Sequence, residues 1–159
     1  MREIKLTKGF KAKVDDEDFE WLNKFYWLIS TQGYPYTNIK TEKGRKTILM
    51  HQMIAEMMGW NKADHINLDK LDNRKSTNLR QCTTSQNGAN RGKNKNNTSG
   101  YKGVYLINDI SRKKRWCARI QVNRKYIFLG NYETAKEAAV AYNKAAIKYF
   151  GEFARLNPI

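Results

Sequence analysis

The chain is 159 residues long and carries 30 lysines and arginines against 15 acidic side chains, a net charge of +15. That length holds one core of ordinary size or two small ones, since domains typically run about 100 to 150 residues, and so large a positive surplus points to a polyanionic partner, nucleic acid first. Two isolated cysteines, Cys82 and Cys117, have no paired-ligand spacing and suggest neither a disulfide framework nor a cysteine zinc site. No apolar run approaches the roughly 18 residues of a membrane span, and charges interrupt the N-terminal hydrophobic stretches, so no signal-peptide pattern is present. These features predict a soluble cytoplasmic protein with no membrane partner.

Short apolar groups punctuated by Lys8-Gly9 predict a small hairpin over residues 4–14. Phe19, Trp21, Leu22 and Phe25 follow at near-helical spacing. The acids at 15–18 read as the first turn of that helix, where negative charge interacts favourably with the dipole, rather than as metal ligands. Aromatic and β-branched residues from 26 to 39, divided by Gly33 and followed by the Glu42-Lys43-Gly44 turn, predict antiparallel strands, which 47–50 extends. Met50, Ile54, Met57 and Met58 then recur at helical spacing and read as a core stripe. His51, at the start of that helix, reads as structural.

The next segment gathers chemistry. Asp64-His65-Ile66-Asn67, Leu71-Asp72-Asn73-Arg74, Asn78-Leu79-Arg80 and Asn87 place a histidine, carboxylates and amides within a short stretch. Phosphodiester cleavage needs a base that works near neutral pH, for which histidine is suited, and hard oxygen ligands for a divalent cation. The order and spacing resemble the HNH endonuclease family. That resemblance implies His65 as general base, Asp64 and Asn87 as metal ligands, and Asn78 as the central asparagine that fixes the motif's loop, with Mg²⁺ or Mn²⁺ as cofactor and no small organic one. The implied fold is a ββα-metal module with Asp64-His65 on one strand, residues 78–83 on the other, and Asn87 on a helix beginning near Thr84. Two departures stand out: the last histidine of the family's name is Asn87 here, and Ser76-Thr77 inserts a residue before Asn78, which makes Asn73 a rival for the central role. Arg74 and Arg80 are left two roles, contacting phosphate or bracing the loop against Asp69 and Asp72.

Residues 88–100 contain no large apolar side chain and cannot bury enough surface to offset their ordering entropy. The organisation expected is therefore a nuclease module over 1–90, a basic Asn-rich linker over 91–99, and a second module over 100–159. The linker is a passive tether or an arm that tracks DNA. Charge follows the division, with 15 basic and 11 acidic side chains in 1–90 against 15 and 4 in 91–159.

Beyond the linker, strand-like runs at 101–107, 115–122 and 125–129 precede a helix announced by the Thr134/Glu137 capping-box pattern and ended by Gly151. Its apolar face is Ala135, Ala138, Ala139, Tyr142, Ala145, Ala146 and Tyr149. Alternation turns Ala118, Ile120 and Val122 toward the helix and Arg115, Cys117, Arg119 and Gln121 away. On the third strand Tyr126 and Phe128 face outward, and exposed apolar surface usually marks a partner. Tyr101-Lys102-Gly103-Val104, Arg115-Trp116-Cys117-Ala118, Leu129-Gly130-Asn131-Tyr132 and the helix resemble the Apetala2/ethylene-response-factor DNA-binding domain. The resemblance implies a sheet laid in the major groove, with contacts from Lys102, Tyr105, Arg115, Arg119, Gln121, Tyr126 and Phe128. Several of the family's arginines are replaced here, by Tyr105, Ile107 and Tyr126, which weakens the guanine readout that arginine supplies. Arg112, Lys113 and Lys114 at the hairpin tip are candidate phosphate contacts.

Taken together, the sequence predicts an α+β, two-module, metal-dependent endonuclease of duplex DNA, of the phage or bacterial homing type, acting as monomer or homodimer. A non-catalytic DNA-binding regulator on a degenerate HNH fold is the alternative.

Overall fold

The computed structural model describes residues 1–159. The chain is mixed α and β with small antiparallel sheets, and divides into two compact units, Met1–Thr83 and Thr84–Ile159.

In the first unit β1 (Arg2–Lys5) pairs with β2 (Lys11–Val14) so that Ile4 opposes Ala12. Alternation puts Ile4, Ala12 and Val14 in the core. Helix α1 (Asp16–Leu22) starts among the acids, as expected, but stops at Leu22 and leaves Phe25 exposed. Those acids have further work. Asp18 is buried and accepts from Lys75 Nζ at 3.0 Å, and Asp15 accepts from Ser76 N at 3.0 Å and Ser76 Oγ at 2.5 Å.

Strands β3 (Leu28–Ile29), β4 (Pro35–Thr41) and β5 (Gly44–Leu49) form a three-stranded sheet in that order. Gly44 closes its hairpin at φ +112°, a conformation glycine adopts without a Cβ clash. Helix α2 (Met50–Met57) buries Met50, His51, Met53, Ile54 and Ala55. The expected stripe fails at its end: Met57, the last residue of the helix, and Met58, its C-cap, are exposed. Trp27 centres the core with Ile4, Leu22, Met50 and Ile54, and its Nε1 donates to Leu22 O at 2.8 Å. Burying an indole needs such a partner for its N–H. Finally, β6 (Ala63–His65) pairs antiparallel with β7 (Leu79–Gln81), with Asp64 opposite Arg80 and His65 opposite Leu79.

The second unit begins at Thr84 with α3 (Thr84–Asn90), seven residues upstream of the expected linker. Residues 91–99 are tied into this unit rather than left as a tether. Lys93 Nζ donates to Gly100 O, Asn97 Nδ2 to Tyr101 O and Ser99 Oγ to Val104 O. A segment without apolar side chains is ordered here by polar ones that satisfy backbone carbonyls.

The sheet runs in the order β10-β9-β8 (Lys125–Tyr132, Trp116–Val122, Val104–Leu106), all antiparallel. Asn123 and Arg124 turn the β9/β10 hairpin with φ of 49° and 67°, the two left-handed residues that a two-residue loop requires. Helix α4 (Ala135–Phe150) is capped as expected: Thr134 Oγ1 accepts from Glu137 N, and Glu137 Oε2 accepts from Thr134 N. Its Ala138, Ala139, Tyr142, Ala145 and Ala146 are buried, packing against Val104, Ala118 and Ile120. Tyr149, expected on that face, is exposed at the last turn. Small alanines bring α4 close to the sheet at Gly103. A Cβ there would collide with the Tyr142 ring and stand 2.7 Å from Arg119 O.

Candidate functional site

Asp64 and His65 enter the first unit on β6, both buried, and the loop 66–78 folds back over them. That loop is held at both ends by Asn78. Its Oδ1 accepts from Asn67 N at 2.9 Å and its Nδ2 donates to Asp72 O at 2.7 Å. Between these anchors Asp69 N donates to Asn67 Oδ1 and Leu71 N to Asp69 Oδ1, local side-chain turns that substitute for regular structure. A short parallel bridge joins the loop to β2: Lys13 N donates to Leu71 O and Asn73 N to Lys13 O.

Asn73, fully buried, reaches the histidine. Its Nδ2 donates to Lys70 O at 3.1 Å, which orients the amide, and its Oδ1 lies 3.3 Å from His65 Nε2. An amide oxygen only accepts, so Nε2 carries the proton and the ring's lone pair resides on Nδ1. Burial pushes the His65 pKa down, while the Asn73 hydrogen bond and the charges of Asp64, Asp69 and Asp72 oppose that shift. The ring is accordingly neutral at neutral pH, the form in which it accepts a proton.

The two loop arginines face carboxylates. Arg74 grips Asp72 through Nε at 2.7 Å and Nη2 at 2.6 Å, and its hydrogen bonds hold the Asp72 pKa below the ordinary value. Arg80 lies across the β6/β7 ladder from Asp64, with Nη2 3.1 Å from Oδ2. Arg74 thus braces the loop through one of the two expected carboxylates. Arg80 pairs with Asp64 instead of Asp69 or Asp72, because the ladder register places the two opposite each other.

Asn87 stands on α3, in the second unit. The outward sheet face of that unit is built around Arg119. Its guanidinium lies 4.6 Å from the ring centroids of both Tyr105 and Tyr126, a cation held between two π faces. Tyr126 and Phe128 are 62% and 64% exposed, far more than ring burial would allow in a core, and Gln121 is exposed on the same strand as Arg119. Cys117 lies on this face as expected, opposite Tyr105, but is buried, with its thiol 2.8 Å from the Tyr105 hydroxyl. Arg115 is half-buried, its Nε enclosed without a hydrogen-bond partner. At the hairpin tip Arg112 pairs with Asp109 at 2.8 Å and Lys113 with Glu133 at 3.2 Å, while Lys114 is exposed.

Lys102 is turned away from the expected groove. Its Nζ donates to Ala89 O at 2.5 Å and Arg91 O at 2.6 Å, capping the C-terminal end of α3, where a cation interacts favourably with unpaired carbonyls. Burial and the charges of Arg155 and Arg91 push its pKa down to about 8. Sequence reasoning missed this role because α3 and Lys102 meet only in the folded unit.

Comparison with known proteins agrees with the motif. The chain is 32% identical over 158 residues to an uncharacterized HNH endonuclease, L560, of Acanthamoeba polyphaga mimivirus, an alignment spanning 96% of this chain and 77% of that protein. A protein with this hairpin and loop, and with that relative along nearly its whole length, is a nuclease-family protein. The chain belongs to the HNH endonuclease family. An alignment of 66 positions that covers 38% of this chain is also 42% identical to the ethylene-responsive transcription factor WRI1 of Arabidopsis thaliana, of which it spans 15%. No family model matches the chain.

Proposed function

We propose that this protein is a divalent-metal-dependent endonuclease that hydrolyses phosphodiester bonds in duplex DNA, with the base His65 and the metal ligand Asp64 on the first unit and the DNA-binding sheet on the second. One observation carries the reading: His65 Nε2 is tied to Asn73 Oδ1, beside Asp64 on the same strand, so that Nδ1 is left as the basic nitrogen. His65 Nδ1 takes the proton of the attacking water as the new P–O bond forms and the bond to the 3′ oxygen breaks.

The donor set suits a hard cation. Asp64 offers a buried carboxylate oxygen, and no cluster of three His, Cys, Asp or Glu side chains surrounds a single point. Mg²⁺ fits such a sparse set, because it is commonly bound through one or two carboxylates and keeps several waters alongside substrate phosphate. Asp64 would hold it, with Asn87 as the further ligand that the family resemblance assigns. The ββα-metal assignment is part of this proposal. When bound, the cation would supply Lewis-acid stabilisation of charge on the phosphate and the departing oxygen.

For the second unit, Arg119 between Tyr105 and Tyr126, together with Gln121 and Phe128, forms the DNA-facing surface, and Lys114 and the hairpin-tip cations contact phosphates. Lys102 is left out of that surface by its hydrogen bonds to α3. The match to a transcription factor favours a second reading, a DNA-binding regulator without catalysis.

A supercoiled-plasmid assay decides between the two. The parent protein nicks or linearises plasmid with Mg²⁺ or Mn²⁺ and not with EDTA, and His65→Ala loses about 10² to 10⁴ in rate while still binding DNA. Parental cleavage by His65→Ala would remove the base assignment, and inert parent protein in every metal would favour the regulator.

A further inference from the structure

We propose that His51 is a positioning residue for His65. Its imidazole holds the His65 ring in the plane that aims Nδ1 at the reacting water. The inference rests on the reading of His65 as general base.

His51 is the second residue of α2 and is buried to 8% exposure. Its ring meets the His65 ring edge to face, with centroids 4.9 Å apart and planes at 68°. Tyr34 packs on both, 5.3 Å from His51 and 6.2 Å from His65. Tyr34 is itself fixed, since Lys70 Nζ lies 4.5 Å from its ring centroid and donates to Gln32 O. His65 is therefore constrained twice: along its plane by Asn73 Oδ1, and across it by two rings. A hydrogen bond alone leaves the ring able to rock about the N–O axis; the edge-to-face contact, a preferred aromatic geometry, removes that motion.

A second observation separates His51 from an ordinary core residue. Its Nδ1 is enclosed with no hydrogen-bond partner. A buried nitrogen left unpaired is unfavourable, and an apolar side chain of similar size would avoid the penalty. Stability alone gives no reason for a nitrogen-bearing ring here, and the ring it meets is that of the only other histidine in the chain. Burial, helped by repulsion from His65 when that ring is protonated and from Lys62, pushes its pKa down to about 3, so it stands against His65 as a neutral ring.

The test uses the full-length protein with His51→Ala and His51→Phe. His51→Ala should lower kcat for plasmid cleavage about tenfold or more with KM for DNA unchanged, since a displacement of about 1 Å costs up to about 10². His51→Phe keeps a ring against His65 and should recover most of the loss. Because the chain has two histidines, either variant leaves one set of imidazole NMR signals. The His65 ring signals should shift and broaden in His51→Ala and stay sharp in His51→Phe. Parental kcat in His51→Ala, or His65 signals that neither shift nor broaden, would overturn the proposal, as would a His51→Phe variant as slow as His51→Ala. Should both variants unfold, the ring-to-ring nuclear Overhauser contact in the unaltered protein reads the same point, and its absence overturns it. Parental cleavage by His65→Ala would instead sink the general-base reading while leaving the ring contact observable.

Discussion

Asn73 Oδ1 lies 3.3 Å from His65 Nε2, while Asn73 Nδ2 donates to Lys70 O; that pair of contacts sets which histidine nitrogen is basic. Asn78, five residues on, clasps the loop through Asn67 N and Asp72 O. The two asparagines that compete for one role in the sequence have separate jobs in the fold.

Separate jobs predict separate phenotypes. Asn73→Ala should slow cleavage by about 10 to 10² without changing KM for DNA, because His65 loses its orienting acceptor. Asn78→Ala should act on stability, releasing the Asn67 N–H and leaving the buried Asp72 carbonyl unpaired at about 1 to 3 kcal/mol. Thermal melts and steady-state cleavage of both variants distinguish the cases.

Acid should unfold the first unit earlier than its carboxylates require. His51 has a pKa of about 3 in the fold against an ordinary 6.5, and His65 is lowered as well. Between those values the unfolded chain binds protons that the folded chain refuses, so stability is complete above pH 6.5 and falls as pH drops. The slope is about 1.4 kcal/mol per pH unit for each such proton. Asp72, lowered by Arg74, adds its own loss below about its ordinary 3.8. Denaturant melts from pH 7.5 to 4.5 should show the decline, and His51→Phe should reduce its slope.

Gly103→Ala should destabilise the second unit by more than about 2 kcal/mol, since the new methyl meets the Tyr142 ring and Arg119 O at a backbone φ of +74°. Expressed alone, residues 84–159 should melt cooperatively and the variant should melt lower. An unchanged melt would refute the tight approach of α4 to the sheet.

The same fragment should bind duplex DNA with most of the salt dependence of the full chain. Log affinity falls with log salt at about −0.9 per phosphate neutralised. Phe128→Ala should weaken binding without altering that slope, whereas Lys114→Ala should reduce the slope by about one contact. Affinities across a salt series check both.

Much of this protein was legible in its residues. The Thr134/Glu137 capping box, the alternation along β9 and the order Asp64-His65 to Asn78 depend on neighbours a few positions apart, so local periodicity and spacing specify them. Errors arose where an element ended or where distant segments met. Met57 and Met58 keep helical spacing after the helix has passed the core, and Lys102 is bonded to carbonyls at the C-terminal end of α3 that lie 11 to 13 positions away.

The sequence by itself determined the family, through the order of its histidine, carboxylate and asparagine residues, and the α+β character, through hydrophobic patterns of period two and 3.6. The tertiary structure alone decided what those groups touch. Arg80 faces Asp64 because the β6/β7 register pairs them, Lys102 caps α3 because the second unit folds over that helix, and His51 meets His65 across 14 positions of chain because α2 and β6 pack side by side. Each is a contact between segments remote in sequence, formed as the chain buries its apolar faces, and no local pattern encodes it.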